Sequence, residues 1–296
     1  MASLLTRFRL ILDMIKFEHS VFALPFAGTG ALLAIRESGY APPELAWKLG
    51  WIVVAMVAAR SAAMAFNRVM DADIDARNPR TRLRHIPAGL LSRRFAWGFV
   101  ALASFVFLLA ARALNPLCFR LAPVALGVVF LYSFTKRFTS ASHLVLGLSL
   151  GIAPAAAWIA LRGSLDPRIL WLTAAVMLWT AGFDIIYSCQ DYEFDVVEGL
   201  FSYPSRFGIA GSLWISRGFH LAMLGCLVAL ARGFRLGGLS AVGVAAVAAL
   251  LIYEHRLVKA NDLSRVDAAF FTVNGYVSIV FFLFWAADIL LLRTGA

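Results

Sequence analysis

Charge is scarce in this chain. Of its 296 residues only 15% are Asp, Glu, Lys or Arg, 61% are hydrophobic, and the acidic residues number 17. Soluble domains carry about 25% charged and about 45–50% apolar residues. A single chain of this size has no core large enough to hide so much apolar surface from water. The shortage of charge excludes a soluble globular enzyme and leaves a polytopic, all-α membrane protein. It also removes nucleic acid as a partner, although a net charge of +10 alone would invite one.

Other absences narrow the chemistry. The three cysteines, Cys118, Cys189 and Cys226, form no CxxC pair and no metal spacing, and read as small packing residues. The five histidines (His19, His85, His143, His220 and His255) show neither HxxxH nor HExxH spacing, and are expected at interfaces or in packing. The chain has no GxSxG, Walker A or strand-borne GxGxxG element, which argues against hydrolase, NTPase and dinucleotide-binding readings. No long uncharged run opens the chain, so a signal peptide is not expected. Instead Leu4, Leu5, Phe8, Ile11, Leu12 and Ile15 recur at helical spacing, which predicts an interfacial helix over residues 1–18, or a plain helical lead-in to the first span.

What is present is a series of apolar runs. Crossing about 30 Å of hydrocarbon takes roughly 20 residues of helix. Nine segments qualify within a single membrane domain, residues 1–296: 19–35, 47–66, 95–113, 117–134, 143–161, 169–187, 213–231, 236–253 and 270–292. The chain ends four residues after the last of them, so no appended soluble domain is expected. The connections 1–18, 67–94, 135–142, 188–212 and 254–269 hold 16 Lys and Arg, and those on the other side hold 6. Positive loops mark the cytoplasm. The N-terminus and the two long loops are therefore expected there, with the C-terminus outside.

The few acidic residues are unevenly spread. Eight of the 17 fall in two windows, FNRVMDADIDARNPRT (66–81) and FDIIYSCQDYEFDVVEG (183–199). Each lies where an even-numbered span is expected to meet the cytoplasm. Positions four apart share a helix face. Asn67, Asp71 and Asp75 then form one stripe with Asp73 pointing away. Asp184, Asp191 and Asp195 form another if their helix continues. Carboxylate pairs at such depth call for a cation. Mg²⁺ is usually held by one or two carboxylates plus substrate phosphates. Arg77, Arg80, Arg82 and Arg84 would supply positive charge to such an anion.

At these residues the sequence resembles the UbiA superfamily of intramembrane prenyltransferases. Its first motif, NDxxDxxxD, is matched by Asn67, Arg68, Asp71 and Asp75, with Arg68 in place of the usual first Asp. Its second, DxxYxxxDxxxD, is matched by Asp184, Tyr187, Asp191 and Asp195. A YxxxK signature is matched by Tyr132 and Lys136, and the RHIPAG stretch, Arg84 to Gly89, looks like the family's R-x-L-P-x-G turn. The likeness covers nearly the whole chain. Within the superfamily, residues 179–195 and 16–28 look most like the 4-hydroxybenzoate polyprenyltransferases.

The resemblance implies nine helices around a central cavity with cytoplasmic active-site loops. It implies transfer of a polyprenyl group from its diphosphate to an aromatic acid in quinone biosynthesis, in the inner membrane, with Mg²⁺ as cofactor and no protein partner. Asp71, Asp75, Asp191 and Asp195 are then the expected metal ligands, with Asn67 and Asp184 beside them. Arg84, Lys136 and Arg68 would contact diphosphate. Tyr132 and Tyr187 would line the allylic-cation pocket or bond the diphosphate, and Asp191 or a nearby water would take the ring proton. Arg137 and Arg206 are candidates for the acceptor's carboxylate. Phe201 stands where relatives often have a basic residue, and Arg206 is the nearest substitute. The competing reading is a secondary transporter, since two acidic windows four spans apart suggest an internal repeat. Transporter sites lie near the bilayer midplane, however, whereas these carboxylates cluster beside Arg-rich loops.

Overall fold

The computed structural model describes residues 10–15, 24–38 and 41–293, and these are almost entirely helical. Eleven α-helices follow in order: α1 (Leu24–Arg36), α2 (Pro42–Met70), α3 (Ala72–Arg77), α4 (Arg93–Leu114), α5 (Pro116–Thr135), α6 (Ser142–Arg162), α7 (Leu170–Ser188), α8 (Tyr192–Glu198), α9 (Tyr203–Gly233), α10 (Gly238–Leu257) and α11 (Asn274–Arg293). Short 3₁₀ turns, Pro167–Ile169 and Cys189–Asp191, flank α7, and a π turn, Ala268–Val273, leads into α11.

Among the described residues eight helices are long and apolar enough to cross a membrane. They coincide with eight of the nine expected spans. Over the remaining one, 19–35, α1 has 13 residues and is shorter than a full crossing. Residues 19–23 of that span lie outside the described residues, as do 1–9 and 16–18 of the expected interfacial helix, together with His19.

The chain divides into two compact units. The first holds residues 43–134 and the described N-terminal stretch. In its core Ile11, Met14 and Ile15 are buried with Ala65, Phe66, Val69, Ala96 and Val100. The apolar stripe expected to lie on the membrane is thus, over residues 10–15, covered by protein. Phe66 stacks on Phe130 of α5 with ring centroids 4.3 Å apart, so aromatic packing joins α2 to α5 just before the first acidic motif. Between α3 and α4 the chain makes consecutive turns, closed by bonds such as Arg84 N–H to Thr81 O (2.9 Å) and Leu91 N–H to His85 O (3.0 Å). Gly89 takes φ +73° there, in the left-handed region that side chains disfavour.

The second unit holds residues 22–42 and 135–296. Its helices approach closely because small residues face backbone. A Cβ on Gly147 would stand 2.2 Å from Met177 O, and one on Gly151 would stand 2.6 Å from Thr173 O. This is the small-xxx-small contact by which membrane helices pack without a hydrophobic drive between them. Helix α9 kinks at Gly208, whose φ of 68° and ψ of 168° are not helical. Beneath α7 a file of rings runs from Phe183 through Trp179, Phe26 and Phe281 to Trp285, with successive centroids 4.8–5.1 Å apart. These rings are buried, while Trp214, Leu221, Leu283 and Leu291 stand exposed, as lipid-facing side chains should.

Candidate active site

Each unit carries one acidic motif, at the end of a long apolar helix. In the first, α2 stops at Met70 and Asp71 forms the junction to α3. The helical spacing survives that junction: Asp71 N–H bonds Asn67 O at 2.9 Å and Asp75 N–H bonds Asp71 O at 2.8 Å. Asn67, Asp71 and Asp75 are therefore brought together as expected. Asn67 Nδ2 donates to Asp71 Oδ2 at 2.9 Å and reaches Ser133 Oγ of α5 at 3.4 Å. Asp71 and Asp75 are both buried, 3% and 4% exposed. Asp73 points away and pairs with Arg93 on the surface.

Arg84 reaches back from the turns after α3. Its Nη1 donates to both oxygens of Asp75, at 2.8 and 2.9 Å. Thr81 Oγ1 bonds the Asp75 carbonyl at 3.2 Å, which holds the loop against α3. Arg68 is within electrostatic reach of Asp71, Asp75, Arg84 and Tyr132, and its Nε approaches Met14 O at 3.4 Å. The unusual basic residue of the first motif thus lies among the residues the motif was expected to recruit. Buried carboxylates next to two guanidiniums form an arrangement suited to a hydrogen-bonded anion and a cation together.

In the second unit the helix does not simply continue. The chain passes through the 3₁₀ turn Cys189–Asp191 before α8 begins. The expected α-helical fan of Asp184, Asp191 and Asp195 is therefore broken, because a 3₁₀ turn winds more tightly than an α turn. Asp191 and Asp195 still interact electrostatically, and Asp195 also feels Lys136 and His143 and bonds the Ser202 side chain. Lys136 directly follows α5, and its carbonyl accepts Phe201 N–H at 2.8 Å. That bond ties the YxxxK signature to the loop after the second motif. Arg206 is exposed on α9 and lies over the Phe207 ring at 5.3 Å.

Asp184 has a partner that sequence reasoning missed. His143 Nδ1 lies 2.7 Å from Asp184 Oδ2. Tyr203 N–H donates to His143 Nε2 at 3.4 Å, so Nε2 accepts and Nδ1 carries the proton given to the carboxylate. His143 is buried at the start of α6. Packing alone does not describe it: it orients an acid of the motif. The other described histidines also have partners, His85 with Asp13 at 3.0 Å and His220 with His255 at 3.0 Å. No spacing in the sequence signals these pairs.

Among the described residues no group of three or more His, Cys, Asp or Glu side chains forms a ready metal site. Each motif instead offers hard oxygen donors in twos, Asp71 with Asp75 and Asp191 with Asp195. That donor set fits an ion held by one or two carboxylates together with phosphate oxygens.

Fold and site define the class: a polytopic, all-α membrane protein with an acidic motif closing a long apolar helix in each of its two units. Residues 23–288 match the UbiA prenyltransferase family, and the chain belongs to it. It is therefore an enzyme, a membrane prenyltransferase. Over 226 residues it is 34% identical to a 4-hydroxybenzoate octaprenyltransferase of Vibrio cholerae serotype O1, a match covering 74% of this chain and 77% of the relative. A solved UbiA homolog from Aeropyrum pernix K1 is 34% identical and superposes with a TM-score of 0.81, covering 92% of this chain and 98% of the other. A UbiA homolog from Archaeoglobus fulgidus, solved with DMAPP and Mg²⁺, shares the fold at 18% identity, with a TM-score of 0.72 and coverage of 94% and 98%.

Proposed function

We propose that the protein transfers a polyprenyl group from polyprenyl diphosphate to the ring of a 4-hydroxybenzoate-like acid, with Mg²⁺, as a step of quinone biosynthesis in the inner membrane. The observation that carries this reading is the pair of acidic motifs, each at a helix end and each supported by its own hydrogen bonds. The similarity to 4-hydroxybenzoate octaprenyltransferases supports the choice of substrates.

Asp71, Asp75, Asp191 and Asp195 are the residues that would hold Mg²⁺ on the diphosphate. When bound, the ion supplies positive charge that eases departure of the diphosphate. Arg84, Lys136 and Arg68 offer donors to the diphosphate oxygens and stabilise the charge that grows on them. The allylic C–O bond breaks with its electron pair leaving on diphosphate. Tyr132 and Tyr187 would line the pocket of the allylic cation, which aromatic quadrupoles stabilise, or bond the diphosphate. The electron-rich ring carbon of the acceptor attacks, and Asp191, directly or through water, takes the ring proton. Asn67 supports the first motif and the His143–Asp184 pair the second, and Arg206 is the cation nearest in sequence to the second motif for the acceptor's carboxylate.

The test is to incubate the purified protein in lipid with a polyprenyl diphosphate, Mg²⁺ and a panel of aromatic acids, and to identify products by mass. Prenylated acid and stoichiometric diphosphate are expected. Substrate flux across liposomes with no new product would overturn the reading in favour of a transporter.

A further inference from the structure

The second unit contains a buried polar junction that none of the motifs includes. Asn274, the first residue of α11, is 2% exposed. Its Oδ1 accepts the indole N–H of Trp179 from α7 at 2.7 Å. Its Nδ2 donates to Glu254 Oε1 of α10 at 2.8 Å and reaches the carbonyls of Ala269 and Phe270 at 3.1 and 3.2 Å. Those two carbonyls belong to the π turn Ala268–Val273. A π turn widens the helix and draws carbonyls away from their usual partners, and such turns recur at functional sites. Asn274 satisfies them from the side, and no apolar residue could do the same without orphaning buried carbonyls.

The turn so held carries two half-buried rings, Phe270 and Phe271. Phe270 lies 4.2 Å from the ring of Tyr187, the aromatic member of the second motif, and Phe271 lies 6.1 Å from it. Phe270 also meets Phe183 edge-on at 5.2 Å. Below Phe183 the file of rings is sealed in the core. Tyr187, Phe270 and Phe271 keep partly exposed surface, and Tyr187 stands between Asp184 and Asp191 in the second motif.

We infer that Asn274 is a positioning residue, holding the π turn so that Phe270 and Phe271 complete with Tyr187 a three-ring wall that keeps water from the allylic cation. This rests on the prenyl transfer proposed above. Once the C–O bond has broken, two nucleophiles compete. The acceptor carbon gives prenylated acid and water gives prenyl alcohol, each after losing one proton. A wall of ring faces stabilises the cation and excludes the second path.

Two measurements test it. In the first, product partition is read for Asn274→Ala, Phe270→Leu and Phe270→Tyr in lipid nanodiscs. The alcohol fraction should rise several-fold in the first two variants, with KM for the diphosphate within about twofold of wild type, and return toward wild type in the third. The double variant Asn274→Ala/Phe270→Leu should raise the alcohol fraction by less than the two single effects combined, because Asn274 acts in part through that ring. In the second, 3-fluorotyrosine at position 187 reports the ring current of Phe270, and its ¹⁹F shift should move alike in Asn274→Ala and Phe270→Leu. Lower turnover with unchanged partition, or an unmoved ¹⁹F signal in Asn274→Ala, would overturn the inference while leaving the transfer reaction intact. A wild-type protein that makes neither prenylated acid nor alcohol would overturn the proposed function, and the wall's role with it.

Discussion

At the scale of single residues, the acidic motifs show how a few charges are kept in an apolar chain. Asp71 and Asp75 are almost fully buried, yet each has a near partner, Asn67 for the first and Arg84 for the second. An unpaired buried carboxylate would instead protonate or destabilise the helix end. Asp71→Asn and Asp191→Asn keep the shape and remove the charge. Each is expected to lower Mg²⁺-dependent prenyl transfer by about 100-fold or more, read as diphosphate release. Full activity in either variant would remove that residue from the metal-binding set.

His143 allows a subtler experiment. Its Nδ1 proton orients Asp184 and its Nε2 is occupied by the Tyr203 main chain, so the ring is locked at both nitrogens. Residues that orient the surroundings of a metal typically contribute about 10–100-fold to affinity or activity. His143→Ala should therefore raise the Mg²⁺ concentration at half-maximal rate by about tenfold. A purely packing role predicts lower stability with the Mg²⁺ titration unmoved, and the two are separated by running thermal unfolding alongside.

At the scale of elements, helix ends and glycines do most of the positioning. The first motif was legible in the sequence because its geometry is local: Asn67, Asp71 and Asp75 are four apart and their backbone bonds follow the α spacing through the junction. The second was legible by motif but not in detail, since nothing in SCQD announces that Cys189–Asp191 tightens to a 3₁₀ turn. The His143–Asp184 pair was illegible because its members lie 41 residues apart. The π turn was hidden for a similar reason, as it depends on Asn274, Glu254 and Trp179 meeting from three helices. Nothing in the sequence sets Gly147 and Gly151 apart from other membrane-helix glycines, yet they face the backbone of α7 at distances no side chain tolerates. Gly147→Leu should destabilise the protein by at least the ~1–3 kcal/mol typical of overpacking, seen as a lower thermal midpoint in detergent. Gly127→Ala is the control, because a Cβ there meets nothing within 4 Å. Equal loss in both variants would mean that the α6–α7 contact is not what Gly147 protects.

At the scale of the whole molecule, the uneven distribution of Lys and Arg is an argument about sidedness. The stretch between Asp75 and α4 alone holds Arg77, Arg80, Arg82 and Arg84, and the expected opposite side holds 6 basic residues against 16. Basic loops are retained on the cytoplasmic side during insertion. With the Arg-rich loop on that side, as expected, the prenyl diphosphate of the proposed reaction would approach from the cytoplasm with its apolar tail in lipid. The proposed chemistry and the expected topology call for the same orientation, which makes the orientation a test of both. With Cys118, Cys189 and Cys226 replaced by Ala, single cysteines at two exposed positions, Arg80→Cys and Ser164→Cys, can be probed in intact cells. A membrane-impermeant thiol reagent should label Ser164→Cys in cells and Arg80→Cys only after the membrane is opened. The reverse pattern would place the Arg-rich loop outside, and a cytoplasmic diphosphate could not then reach the first motif.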